Sequence, residues 1–328
     1  MLGCRAWEYQ MAEAYAIGLD LGGTDLKAGL VRANGTVDHF LRRPSRTQES
    51  AGAPIEVMIE AAAELRARAG GPVSRVGLGC PGVIEPRTGV LVGHTPHLPH
   101  WSAMPLGEEL ASRLGVRVQV DNDANCAALA ESRVGAAREA RVSVTFTLGT
   151  GIGCGIVIEG RVVHGAFGGA GEAGHLPLGS GEVACRCGVA NCVEPEASAS
   201  GLTRSARAAG LKVEDAAQVF AAAARGDPTA VRLVDRMADR LGAVIAVVVN
   251  LLNPDVVTIG GGVSQAGEPL YSRLRAAVDR YALEGHRRAL CIVPAALGER
   301  AGTVGAGLMA WEGVDAGSRP SATREHDP

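Results

Sequence analysis

The sequence predicts an α/β protein built from two structurally similar halves that face each other. Three observations lead there. Strand and helix signals alternate along nearly the whole chain. The pattern strand, Gly-Thr turn, strand occurs twice, at Asp20-Leu21-Gly22-Gly23-Thr24 and at Thr147-Leu148-Gly149-Thr150-Gly151. The chain of 328 residues suits two domains at ~100–200 residues each.

The elements follow in order. Ile17 and Leu19 begin a strand that reaches Asp20, and after the glycines Leu26, Ala28 and Leu30 alternate with Asp25, Lys27 and Gly29 as a second strand. Ile55, Met58, Ile59, Ala62 and Leu65 recur at helical spacing. Val116, Val118 and Val120 form a strand that runs into Asp121-Asn122-Asp123-Ala124-Asn125 and an Ala-rich helix. Val142, Val144 and Phe146 alternate up to Gly149, and Ile152, Cys154, Ile156 and Ile158 alternate after it. The longest helix starts at an Asp227 cap with Pro228 at its first position and is stopped by Asn253-Pro254. Val256 to Ile259 is a short buried strand that delivers Gly260-Gly261-Gly262.

Composition excludes several classes. A hydrophobic fraction of 47% rules out disorder as the main state. A net charge of −3, pI ≈ 6.3 and only 3% aromatic residues argue against nucleic acid as a partner. The most apolar run, Leu241 to Leu252, contains Gly242 and Asn250 and is shorter than the ~20 residues of a membrane span. Arg5, Glu8 and Glu13 leave no signal-peptide core, so a cytoplasmic protein is expected. Cys4, Cys80, Cys126, Cys154 and Cys291 are scattered singly and read as small core residues.

Four groups of residues point to chemistry. Gly22, Gly23, Gly149, Gly151 and Gly153 could cradle phosphates, because backbone N–H groups approach an anion closely where no Cβ intervenes. The bland alternative is a pair of tight hairpins; Gly260-Gly261-Gly262 leaving a buried strand favours a nucleotide. Gly77-Leu78-Gly79-Cys80-Pro81-Gly82 matches G-x-G-x-x-G, but Pro81, Gly82, Pro86 and Gly89 forbid the helix that a dinucleotide site needs. The cluster at 121–125 holds more polar groups than an N-cap requires, and a carboxylate at the carboxyl end of a strand is well placed as a general base. His175 with Cys185, Cys187 and Cys192 matches the Cys3His set of structural zinc sites, with a redox cluster as the alternative. Gly188 supplies the turn in that knuckle.

Together these motifs resemble the ROK family of sugar kinases, within the actin/hexokinase/Hsp70 superfamily. The resemblance covers roughly residues 15–313 and includes Gly171-Glu172-Ala173-Gly174-His175 and Cys192-Val193-Glu194. It implies a two-domain actin-like ATPase (ribonuclease H-like) fold, with ATP and a hexose in the interdomain cleft. Residues 14–124 plus 300–314 would form the smaller domain, 125–299 the larger domain with the zinc loop, and 1–13 and 315–328 flexible ends. Asp123 corresponds to the catalytic base, and Gly82, His97, Asn122, Glu172, His175 and Glu194 to sugar ligands. Asp20, Thr24, Lys27, Thr147 and Thr150 join the glycine turns on the ATP side, with Asp20 orienting Mg²⁺. Two positions depart from the family pattern: His97 stands where Asn is common, and Asp121 where Glu is common.

The activity implied is ATP-dependent phosphorylation of a hexose at its 6-hydroxyl, with glucose first and N-acetylmannosamine, fructose or allose as alternatives. The same family includes sugar-sensing repressors, but only ~15 residues precede the first strand here, where a DNA-binding domain takes some tens. A homo-oligomer, dimer or tetramer, is expected. Because the glycine turns and the zinc loop lie on different segments, loss of zinc is expected to impair sugar binding and spare ATP.

Overall fold

The computed structural model describes residues 14–312; the expected flexible ends and the last residues of the 300–314 segment lie outside them. The first sheet is built from β1 (Tyr15–Leu21), β2 (Asp25–Val31), β3 (Val37–Pro44), β4 (Val73–Cys80) and β7 (Arg117–Asn122) in the order β3-β2-β1-β4-β7. A small hairpin of β5 (Val83–Glu85) and β6 (Val90–Val92) stands apart from it. The second sheet takes β8 (Val142–Leu148), β9 (Ile152–Ile158), β10 (Arg161–Val162), β11 (Val256–Gly260) and β12 (Cys291–Pro294) in the order β10-β9-β8-β11-β12. In each sheet the first three strands of the row are antiparallel and the last two run parallel to their neighbours. The two Gly-Thr turns seen in the sequence are the β1–β2 and β8–β9 hairpins, so the internal repeat is a repeat of topology.

The helices are α1 (Ala53–Arg68), α2 (Leu106–Leu114), α3 (Asp123–Val134), α4 (Glu194–Ala197), α5 (Ala199–Ala208), α6 (Ala216–Ala224), α7 (Pro228–Leu252), α8 (Glu268–Tyr281), α9 (Glu284–Arg287) and α10 (Ala301–Glu312). The signals expected at α7 are present. The Asp227 carboxylate accepts from the N–H groups of Thr229 and Ala230, both at 2.9 Å, and Asn253 ends the helix in the left-handed region at φ 47°. None of the helices among the described residues is long and apolar enough to cross a membrane.

Each sheet has its own core. Ile17, Leu19, Leu78, Met58 and Leu65 pack on the first sheet, and Phe146, Ile259, Val244, Leu241 and Leu274 on the second. A third, smaller cluster of Leu129, Ala130, Val304 and Leu308 joins α3 to α10. Helix α10 lies on β1 and β4 of the first sheet, while α3 lies on β8 and β9 of the second, and the two helices pack against each other. This pair therefore links the halves.

Glycines set the closeness of that packing. A Cβ on Gly18 of β1 would overlap the carbonyl of Thr303, one on Gly77 of β4 that of Ala306, and one on Gly305 that of Cys126 in α3. Gly77 thus belongs to a helix–sheet contact, and no helix opens inside the G-x-G-x-x-G segment, as its prolines require. Overpacking such a contact costs about 1–3 kcal/mol or more. Gly77→Val should lower unfolding stability by at least about 2 kcal/mol in urea titration. Gly52→Ala, where a Cβ meets nothing within 4 Å, should stay within about 0.5 kcal/mol of the parent.

Candidate active site

The site begins with strand register. Asp20, near the end of β1, pairs with Gly79 in β4, which pairs with Asp121 in β7. Three adjacent parallel strands therefore end at one level, and their carboxyl ends open to ligands, as in other open α/β sheets. On the second sheet Gly260 of β11 pairs with Thr147 of β8, which brings Gly260-Gly261-Gly262 beside the Gly149 turn.

Asn122 closes β7 and caps α3. Its side-chain oxygen accepts from Ala124 N at 2.8 Å and Asn125 N at 3.2 Å, and its amide donates to Gly82 O at 3.0 Å. One amide hydrogen remains for a ligand. The cap reading of the acidic cluster is thus right for Asn122, and the neighbour is what the cap leaves over. Asp123 is the first helical residue, half-buried, with Oδ1 accepting from Ala124 N at 2.9 Å. Burial and the nearby charge of Asp20 push its carboxyl up to about 7, against the lowering effect of the Ala124 N–H. A carboxyl that titrates near neutrality is suited to proton transfer.

Asp20 is likewise raised by burial, offset by Lys27, whose ammonium lies 3.4 Å away as its direct cross-strand partner. Gly302, at the start of α10, lies against the Asp20 carboxylate, which any Cβ there would overlap. The Asp20 oxygens, with Lys27 as their only hydrogen-bond partner among the described residues, are hard donors of the kind Mg²⁺ takes.

Across the cleft, Gly171 (φ +90°) presses on the carbonyl of Cys154 and sets the start of the Glu172–His175 segment on β9. Burial and the charge of Glu194 raise the Glu172 carboxyl, with His175 opposing. His175 has its two nitrogens in different surroundings. Nδ1 lies 3.6 Å from Cys185 Sγ, and Nε2 lies 3.7 Å from Glu172 Oε2. The ligand atoms of His175, Cys185, Cys187 and Cys192 all lie within 4.8 Å of one another. Cys187 and Cys192 sulfurs are 3.6 Å apart, close to the ~3.8 Å edge of a tetrahedron with 2.3 Å Zn–S bonds. The donor set and its spacing fit a structural zinc ion, with the imidazole bound through Nδ1. Gly188 makes the knuckle turn at φ +83°.

The glycines divide by role. None of Gly22, Gly23, Gly149, Gly151 and Gly153 has a positive φ, so their need is space. Gly149 is open, whereas a Cβ on Gly22 would lie 3.2 Å from Asp25 O within its own hairpin. The space where a Cβ of Gly153 would sit is filled by Ala124 of α3 and the Thr147 hydroxyl. Gly151 instead faces Glu194. Gly261 (φ +80°) is pressed on the backbone of Leu148, while Gly262 has nothing within 4 Å. Thr24 is exposed at the tip of the first hairpin. His97 lies over that hairpin, with Nδ1 3.4 Å from where a Cβ of Gly23 would sit.

Three groups escaped the sequence reading. His164 Nε2 bonds Asp121 Oδ2 at 2.6 Å and links the halves two residues before Asp123; no motif surrounds it. Asp121 in turn bonds Asn125 Nδ2 at 2.9 Å through Oδ1. Glu131, fully buried in α3, accepts from Ala136, Ala296 and Leu297 N–H at 2.8, 3.0 and 2.9 Å and so anchors the approach to α10. Gly302 is the third; the small-residue run Ala301 to Gly307 was its available signal.

Two sheets of one topology, linked by α3 and α10, with carboxylates and open glycines gathered at their strand ends, define a two-domain actin-like ATPase fold. The ROK family model matches residues 16–312, and the chain belongs to that family. It is 34% identical over 318 residues to a glucokinase of Thermotoga maritima, an alignment covering 93% of this chain and 99% of that relative. The crystal structure of a ROK hexokinase from Thermus thermophilus is similar at a TM-score of 0.81 and 37% identity, over 92% of this chain and 99% of that one. A ROK family glucokinase from Streptomyces griseus, in complex with glucose and AMPPNP, gives 0.79 and 32%, over 91% and 99%.

The metal reading has a direct check. The purified protein should hold about one zinc per chain. Cys187→Ala should lose it and raise the KM for sugar about tenfold or more, since ligand groups misplaced by ~1 Å can cost ~10²-fold. Metal-free protein at full activity would refute the site.

Proposed function

We propose that this protein transfers the γ-phosphoryl group of ATP to the 6-hydroxyl of a hexose, with glucose as its substrate. The observation behind the proposal is Asp123, a half-buried carboxyl pushed up to about 7, at the start of α3 where the strand ends of the first sheet meet. As the 6-oxygen forms its bond to the γ-phosphorus, its proton passes to the Asp123 carboxylate, and ADP leaves with the electron pair of the broken bond. Asn122, Glu172, His175 and Glu194 hold the sugar hydroxyls, with Gly82 and His97 at the rim. Gly22 and Gly149 give the phosphates room, and Gly262 leaves space for the adenosine end. Asp20 would orient the Mg²⁺ that accompanies ATP, which would neutralise phosphate charge; the protein's own contribution is mainly positioning. The two units on either side of the substrates are residues 14–124 plus 300–314, and residues 125–299. The relatives quoted above support the reading through the glucokinase activity and the ligands in their names.

A kcat/KM comparison with ATP across glucose, N-acetylmannosamine, fructose and allose should place glucose first. Asp123→Asn, similar in size but unable to take the proton, should lower kcat by ~10²–10⁴-fold while changing glucose binding far less. The base works only when ionised, so kcat/KM of the parent should fall as pH drops through about 7. Near-normal turnover by Asp123→Asn removes it from the role.

The nucleotide side is tested at Gly262, since a side chain on Gly261 would strain the backbone whatever its role. Gly262→Leu should raise the KM for ATP several-fold more than the KM for glucose. The reverse pattern assigns the segment to the sugar.

A further inference from the structure

The second glycine turn is held from outside by the stretch of chain that leaves the zinc loop. Gly149 O accepts from Ala199 N at 3.0 Å, and Thr150 O accepts from the Ser200 hydroxyl. Ile152 N donates to Glu194 Oε2 at 2.9 Å. Residues 194–200 thus grip the turn at three points, and the stretch begins two residues after Cys192. A Cβ on Gly151 would overlap Glu194 Oε2 and lie 3.1 Å from its Cδ, so this glycine makes room for the carboxylate. Gly174, between Glu172 and His175, is packed just as closely: a Cβ there would lie 2.7 Å from Ile152 O and 3.5 Å from Glu194 Cβ. Three segments that are separate in sequence therefore meet at Ile152. Glu194 Oε1 has no hydrogen-bond partner among the described residues, and Glu172 is near enough to feel the Glu194 charge.

We propose that Glu194 is a positioning residue that couples the two substrate subsites, Oε2 setting the phosphate turn through the Ile152 N–H while Oε1 accepts a sugar hydroxyl. This rests on the kinase reading above and adds a linkage to it. A hydroxyl donated to Oε1 fixes the carboxylate, and the carboxylate fixes the amide that orients the turn. Sugar then tightens nucleotide binding, and by reciprocity nucleotide tightens sugar binding by the same factor. On this reading loss of zinc would weaken ATP as well as sugar, contrary to the expectation from sequence, because the chain between the zinc site and the turn is short and bonded to it.

Calorimetric titration with AMPPNP and with glucose, each alone and in the presence of the other, tests the coupling without turnover. In the parent each ligand should tighten the other by about tenfold, within the 5–150-fold usual for coupled sites. Glu194→Ala should weaken AMPPNP about tenfold in sugar-free protein and abolish the effect of glucose on it. Glu194→Gln keeps an acceptor for Ile152 N–H and should restore the sugar-free AMPPNP affinity. Gly151→Ala, on the nucleotide side, should weaken glucose binding several-fold by displacing the carboxylate; it supplies the answer if Glu194→Ala does not fold. Unchanged zinc content and circular dichroism separate these effects from unfolding. The coupling is overturned if Glu194→Ala leaves sugar-free AMPPNP binding unchanged, if Gly151→Ala affects the nucleotide alone, or if the parent binds both ligands independently. A parent that binds neither ligand overturns the kinase reading as well.

Discussion

The contact between α3 and α10 is the constraint on which the rest depends. Each helix belongs to a different sheet, and they approach closely because Gly305 has no side chain to hold off the Cys126 carbonyl. Gly18 and Gly77 let α10 settle on β1 and β4 in the same way. The site inherits its geometry from this joint. Asp123 opens α3, and Gly302 near the start of α10 lies against Asp20, so the two carboxylates that repel each other are fixed by the two helices that touch. Glu131 completes the arrangement by binding, from within α3, the N–H groups of Ala296 and Leu297 ahead of α10.

Electrostatics follow from that placement. A carboxylate that is half-buried near another carboxylate loses solvation and gains repulsion, and both raise its pKa. Burial raises Asp20 and Lys27 partly offsets this, while burial and the charge of Asp20 together raise Asp123. Asp121, two residues before Asp123 and still on β7, is instead bonded to His164 and Asn125. Asp123, at the mouth of the helix, is the aspartate whose carboxyl burial and the Asp20 charge push up to about 7.

The zinc loop and the second glycine turn form one connected module. The Cys3His set fixes the segments on both sides of it, 172–175 and 192–194, and both reach Ile152 at the foot of the turn. A closed metal site does no chemistry of its own. The stretch that follows it carries Glu194, which bonds the second glycine turn through Oε2 and leaves Oε1 without a partner among the described residues.

Much of this was written in the sequence because it is local. Period-two alternation marked β1, β2, β8 and β9; the Asp227-Pro228 start and Asn253-Pro254 stop bounded α7; the spacing of His175, Cys185, Cys187 and Cys192 named a metal; and Asp123 stood out as a carboxylate beyond what a cap requires. Such features need only a residue's chain neighbours, and the repeated turn gave the two-fold plan of the halves. What the tertiary structure alone decided is what each residue faces. Gly153 makes room for Ala124, and Gly151 makes room for Glu194. His164 and Glu131 carry no motif, since their partners lie 43 positions and up to 166 positions away. A glycine reports only that something comes close; whether that is a phosphate, a helix or a carboxylate depends on long-range packing, which the order of residues along the chain does not display.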